Sequence, residues 1–300
     1  MNGQATAAAV IDEVSRSRRR PWSPGRGSWL LLLPPLALLG LFFVLPLLTV
    51  IGTSISDEAG WHSQYLEIIR NPTTMSVVLY TFQTALLVTI GALVLSYPVA
   101  FFVSRLKGTL LHLSLAMILI PFWTSTVIRT YSWIVIFQRK GILNDALIGL
   151  ELIDKPLRLV SNGVGMQIAM IHIMLPFMIL PLLSAMRGID HNLLRAAAVM
   201  GANPLRQFIS VYLPLTVPGI SAGCVLVFIT SLGFYITPAL LGGQRTMVAV
   251  LIEQQASRLL NWPLASALAT LLLMLTCILF FVYERAMRHV AGGKSAGEIA

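Results

Sequence analysis

Six separate stretches of this 300-residue chain are apolar for long enough to cross a bilayer core of roughly 30 Å as helices: about 28–53, 77–103, 112–137, 162–186, 215–240 and 263–284. No other feature constrains the fold as strongly. Inside hydrocarbon each backbone N–H and C=O must find its partner within the protein, which a helix achieves by itself. Composition agrees, with 56% hydrophobic and 11% charged residues against the roughly 25% charged of a soluble domain. The expected fold is an all-α integral membrane protein with six transmembrane helices.

Charge orients it. The formal charge of +9 would suit a nucleic-acid partner if it were clustered on one soluble surface. Instead, placing the N-terminus in the cytosol puts 13 Lys or Arg and 5 acids inside, against 7 of each outside, with Arg129 assigned to a span. This is the positive-inside pattern, weighted by Arg16, Arg18, Arg19 and Arg20. Both termini are therefore expected in the cytosol, and no nucleic acid is expected. The apolar run from Trp29 to about Ile51 is too long for a cleaved secretory signal. Residues 1–27 read as a basic, disordered tail, 28–285 as the six-span domain and 286–300 as a C-terminal tail. Cys224 and Cys277 both fall in spans and point to neither a disulfide framework nor a thiolate metal site.

One polar interruption carries its own structural instructions. Residues 187–214 read RGIDHNLLRAAAVMGANPLRQFISVYLP. Asp190 is placed to cap a helix over His191–Met200, and Gly201 stands where a helix ends in left-handed geometry. Asn203 and Pro204 then open a second helix, to Leu213, with Leu205, Phe208, Ile209, Tyr212 and Leu213 on one apolar face. Pro214 and Pro218 mark the entry to the next span. The Ala196–Ala198 run leaves a nearly bare backbone surface. It either favours the helix alone or receives a partner at close approach.

Chemistry is sparse. The spans hold no paired carboxylates, and the five histidines have no spacing for a metal or nucleophile site. Gly293-Lys294-Ser295 looks like the end of a phosphate loop, but Arg288 stands where the first glycine is required and no strand precedes it. No cofactor is expected in this chain. Arg129 is the single charge assigned to the interior of a span, Glu284 being counted at the cytosolic end of the last. It either borders a translocation path or snorkels to the outer interface beside Tyr131 and Trp133. Pro98, Pro121, Pro176, Pro181 and Pro238 interrupt spans and would free carbonyls to line a pathway. Phe234-Tyr235-Ile236-Thr237-Pro238 combines aromatic, hydroxyl and kink residues, as a gate or as an interfacial belt. Residues 138–162 suit a short helix on the outer face or a solvated loop.

The segment LLRAAAVMGANPLRQFISVYLPL resembles the cytoplasmic EAA loop of binding-protein-dependent ABC importer permeases. Ala196, Ala197, Gly201, Leu213 and Pro214 match in type and spacing, with Ala202 beside the glycine, while Arg195 occupies the usual Glu position. SYPVAFFVSR, PFWTSTVIRTYSWIVIFQRKGILN and LGFYITPALLGG are similar to the spermidine/putrescine-type branch, permease component I. The resemblance implies a type I importer in a bacterial inner membrane. It implies a second permease subunit, a pair of ATPase subunits that bind ATP and Mg, and an external substrate-binding protein. The substrate implied is a small organic solute, polyamines such as spermidine or putrescine first and amino-acid-like solutes as the alternative. Arg129, Tyr131, Phe234, Tyr235 and Pro238 are the candidate pathway residues. An ion-coupled secondary transporter is the rival, and it would need acids at membrane depth that the spans lack.

Overall fold

The computed structural model describes residues 28–56 and 63–295. The basic tail expected over 1–27 lies outside the described residues. The described residues are helical throughout their ordered elements, and their contacts divide the chain into residues 1–50 and 51–300.

The N-terminal apolar stretch forms α1 (Ser28–Leu39), a π-type turn (Gly40–Val44) and α2 (Leu45–Ile55). Pro46 cannot donate to the carbonyl of Phe42, and the turn absorbs that gap with a wider bond from Leu45 N–H to Gly40 O. Three spans then match the sequence closely. These are α4 (Pro72–Ser104), which follows the short α3 (Ser63–Arg70), then α8 (Gly163–Arg187) and α14 (Trp262–Ser295), which follows the short α13 (Val248–Glu253). Asn71 caps α4 by accepting from Thr73 N–H at 3.0 Å, with Pro72 in the first position where no donor is needed. Residues 291–295 continue α14, so Gly293-Lys294-Ser295 lies in a helix and not in a phosphate-binding loop.

Three expectations are corrected. Span three is not one helix over 112–137: α5 (Gly108–Trp123) and α6 (Thr126–Phe137), continued by α7 (Ile142–Gly149), meet at a bend of 96°. Pro121 sits in the last turn before this break, where its missing N–H leaves the helix free to stop. Span five ends earlier than 240, since α11 (Leu213–Leu232) stops at Gly233 and α12 (Ile236–Leu241) restarts after it. Finally, α4 and α8 run unbroken through Pro98, Pro176 and Pro181. One lost backbone bond per proline costs less than breaking a helix packed on its neighbours.

The core is a three-helix packing of α4, α8 and α11, with α8 between the other two. Along α8, Met166, Met170, Met174, Met178, Leu182 and Met186 recur every fourth residue and are fully buried. Flexible thioethers at that spacing fill an irregular seam. Leu182 and Met178 of this row meet Gly219 and Gly223 of α11, whose missing side chains allow the two backbones to close. A Cβ on Gly219 would stand 2.8 Å from Pro181 O. Of the two readings left open for 138–162, the short helix is the one seen, as α7, strapped by buried Asn144, which donates to Gln138 O and Leu157 O and accepts from Leu157 N–H.

Candidate functional site

At one end of the bundle the 187–214 interruption forms α9 (His191–Val199) and α10 (Pro204–Gln207). Asp190 accepts from Asn192 N–H at 2.9 Å. Gly201 takes φ +86° while Ala202 N–H reaches back to Ala197 O at 3.0 Å, closing the helix in the left-handed turn that a Cβ would strain. Asn203 then accepts from Arg206 N–H at 2.8 Å, and Gln207 Nε2 donates to Ala202 O at 2.8 Å, so the two helices are cross-tied at the hinge. Ile189, Leu194 and Ala197 seat α9 on the bundle. Arg187 donates to Leu106 O at 3.3 Å and fastens the loop to the connection between α4 and α5.

The second helix departs from the expectation. It does not stop at Leu213: α10 passes through a π-type turn (Phe208–Tyr212) into α11, one rod from Pro204 to Leu232. Pro214 has no N–H for Ser210 O, and Leu213 N–H bonds to Phe208 O instead. The predicted apolar face is divided between the bundle and the surface. Phe208 and Tyr212 point to α4, while Leu205 and Ile209 are exposed.

Of the sequence-chosen loop residues, Arg195 and Ala196 are exposed, Ala197 is buried, Ala202 and Leu213 are half-buried, and Gly201 and Pro214 lie on the surface. What sequence reading missed is Val199 and Met200, 89% and 81% exposed at the tip of the loop. Their signal was present: with Leu194 and Ala197 facing inward, positions 199 and 200 fall off the buried face of α9. Two large apolar side chains are thus held out together on a cross-tied turn.

The second region is where the broken helices meet. Thr130 of α6 and Thr237 of α12, both fully buried, share a hydrogen bond of 2.9 Å between hydroxyls. Trp133, one turn after Arg129, faces α8 and its Nε1 donates to His172 Nδ1 at 3.3 Å, while the Arg129 guanidinium donates to Thr126 Oγ1 at 3.2 Å. The Nε of Arg129 is buried without a partner, and no carboxylate among the described residues pairs with it. Tyr131 projects away from this cluster, 55% exposed. Two positions apart on α6, Arg129 and Tyr131 project from opposite sides of that helix. Phe234 packs on the core and Pro238 is buried, whereas Tyr235 is exposed.

At the end opposite the loop, Thr73, Ser76, Tyr80, Gln83, Gln244 and Arg245 line a cleft of about 450 Å³. Arg245 stands over the Tyr80 ring at 5.5 Å, and the buried Tyr80 hydroxyl has no partner. Neither residue carried a sequence signal, because the cleft joins segments 160 residues apart in the chain. No group of His, Cys, Asp and Glu that could hold a metal ion occurs among the described residues.

Comparison with known proteins places this geometry. Residues 27–290 match the family described as binding-protein-dependent transport system inner membrane component. The chain is 35% identical over 256 residues to the spermidine/putrescine transport system permease protein PotB of Escherichia coli (strain K12), covering 83% of this chain and 93% of that one. Its counterpart in Haemophilus influenzae is 37% identical, with 82% and 89% covered. Among solved structures, the bacterial alginate ABC transporter in complex with an alginate pentasaccharide-bound periplasmic protein shares the fold at a TM-score of 0.71 and 17% identity, covering 91% of this chain and 98% of that one.

Proposed function

Because this chain belongs to the family of binding-protein-dependent transport system inner membrane components, and is a permease and not an ATPase, we propose which solute it passes and how its parts act. The permease works in the inner membrane with a substrate-binding protein and an ATPase. Beyond that, the proposed solute is a polyamine of the spermidine or putrescine type, supported by the two PotB relatives. A second permease subunit completes the pathway, and ATP and Mg²⁺ are held by the ATPase pair. The loop end and both termini face the cytosol, as the charge distribution favours.

The observation that carries the mechanism is the exposed Val199 and Met200 knob on a loop cross-tied at Gly201 and continuous with α11. ATPase closure pushes the knob, and the rod from Pro204 to Leu232 conveys the push to Gly233 and the α12 restart. Two discrete arrangements of the bundle then open alternately to the two sides.

Arg129 favours a second reading of the solute. An intramembrane guanidinium without a counter-charge is costly, and a carboxylate on an amino-acid-like solute would supply one. The assay is ATP-dependent uptake into proteoliposomes holding the full complex, with radiolabelled putrescine and 5-aminopentanoate, two chains that differ by one ammonium exchanged for a carboxylate. Uptake of putrescine or spermidine alone supports the polyamine reading. Uptake of 5-aminopentanoate alone, abolished by Arg129→Gln, replaces it.

A further inference from the structure

Tyr97, Phe101 and Arg105 recur every fourth residue on one face of the last turns of α4, with Arg105 as its terminal cap. Phe208, Tyr212 and Thr216 recur at the same spacing across the π-type turn and the start of α11. The two rows interlock. Phe101 meets Phe208 edge-on with centroids 5.9 Å apart and Tyr212 edge-on at 5.3 Å, while Tyr97 meets Phe208 edge-on at 6.2 Å. Phe208 and Tyr212 stack on each other at 5.8 Å, the Tyr97 hydroxyl lies 3.2 Å from Thr216 Oγ1, and the Arg105 guanidinium covers Phe101 at 3.9 Å.

This cluster sits where the loop's connection to the membrane is mechanically weakest. The ordinary bonding ladder is interrupted over 208–212 and Pro214 supplies no donor, so a load on α9 and α10 would bend the rod there before it moved α11. We propose that Phe101 is a positioning residue for energy coupling: its ring clasps the π-type turn to α4, so that the loop, the turn and the cytosolic half of α4 move as one body. The inference rests on the reading of the loop as the ATPase dock. The ring acts through Phe208 and Tyr212 and touches neither solute nor nucleotide. Edge-to-face contacts fix orientation as well as distance, which an aliphatic side chain of similar volume does not reproduce.

The test uses the full complex in nanodiscs, with Cys224 and Cys277 replaced by alanine and spin labels placed at exposed Ala198 on the loop and exposed Phe102 on α4. The label distance is measured without nucleotide and in the vanadate-trapped state. The distribution is expected to be narrow and the same in both states for the parent, to shift or broaden between states for Phe101→Leu, and to return to the parent's form for Phe101→Trp. ATPase subunits are expected to co-purify with all three. Identical distributions for Phe101→Leu and the parent overturn the proposal. So does loss of the ATPase subunits from the Phe101→Leu complex, which would show that the ring shapes the docking surface and does not carry movement. Failure of Phe101→Trp to restore the parent distribution also overturns it. A separate variant, Val199→Asp, addresses the reading beneath. If it retains its ATPase subunits, the loop is not the dock, whatever the label distances show.

Discussion

Thr130 and Thr237 form a buried bond between two helices that both restart after a break, one after Trp123 and one after Leu232. Thr130 donates to Thr126 O at 2.9 Å, which leaves Thr237 as the donor between the two hydroxyls. Thr130→Val keeps the shape and removes the acceptor, stranding the Thr237 hydroxyl at a cost of about 1–2 kcal/mol. Thr237→Val alone is expected to cost less, since Thr130 keeps its bond to Thr126 O. The double variant should then cost less than the two single ones added. Thermal melting of the purified complex through this cycle checks it, and strict additivity would show that the bond contributes nothing.

The α8–α11 seam gives a sharper contrast. A Cβ on Gly219 would lie 2.5 Å from Ala185 Cβ and 2.8 Å from Pro181 O, neither of which can swing aside. On Gly223 it would meet Met178 Sδ at 2.6 Å, and a thioether can rotate away. Gly219→Ala is therefore expected to destabilise by about 1–3 kcal/mol and Gly223→Ala by distinctly less. Equal melting temperatures for the two variants would count against the close approach.

These contacts show which parts of the molecule the sequence could disclose. The positions of the spans at 77–103, 162–186 and 263–284, the Asp190 cap and the Gly201 turn depend on local residues and were legible, while 138–162 stays open in sequence between helix and solvated loop. The breaks were not legible. Pro121 and Pro98 look alike in sequence, yet the helix bends after one and runs through the other. The difference is made by packing, because Pro98 lies in a helix held along its length by α8 and α11. Pro238 was read as a kink but occupies the first turn of α12, where its missing N–H costs nothing, and the break belongs to Gly233. The 96° bend that sets the direction of α6, and with it the surroundings of Arg129, likewise had no local signal.

At the loop, Arg195 is exposed one turn before Val199, on the face that would meet the ATPase. If the loop docks the ATPase as proposed, this cation pairs with an acidic or neutral contact on the cognate ATPase. Exposed ion pairs contribute up to about 1 kcal/mol, so Arg195→Ala is expected to lower ATPase affinity by about fivefold at most. Arg195→Glu should lower it further, most at low ionic strength. Substrate-stimulated ATP hydrolysis with the cognate subunits reports the effect, and unchanged or improved activity for Arg195→Glu would refute the co-adapted contact.

At the opposite mouth, Arg245 is the cation of a cleft that offers hydroxyls and amides and no carboxylate among its lining residues. Such a cleft suits an acidic side chain from the substrate-binding protein docking outside, with the unpartnered Tyr80 hydroxyl as an additional donor. Arg245→Glu is expected to weaken the stimulation of ATP hydrolysis by the loaded binding protein, through a higher half-saturating concentration of that protein and an unchanged maximum. Tyr80→Phe should act in the same direction and more weakly, since one neutral donor is worth about 1 kcal/mol. Basal hydrolysis is expected to be unaffected, because the cleft lies at the far end of the bundle from the loop. A fall in the maximum at saturating binding protein would instead place Arg245 in the transmission of movement and not in docking.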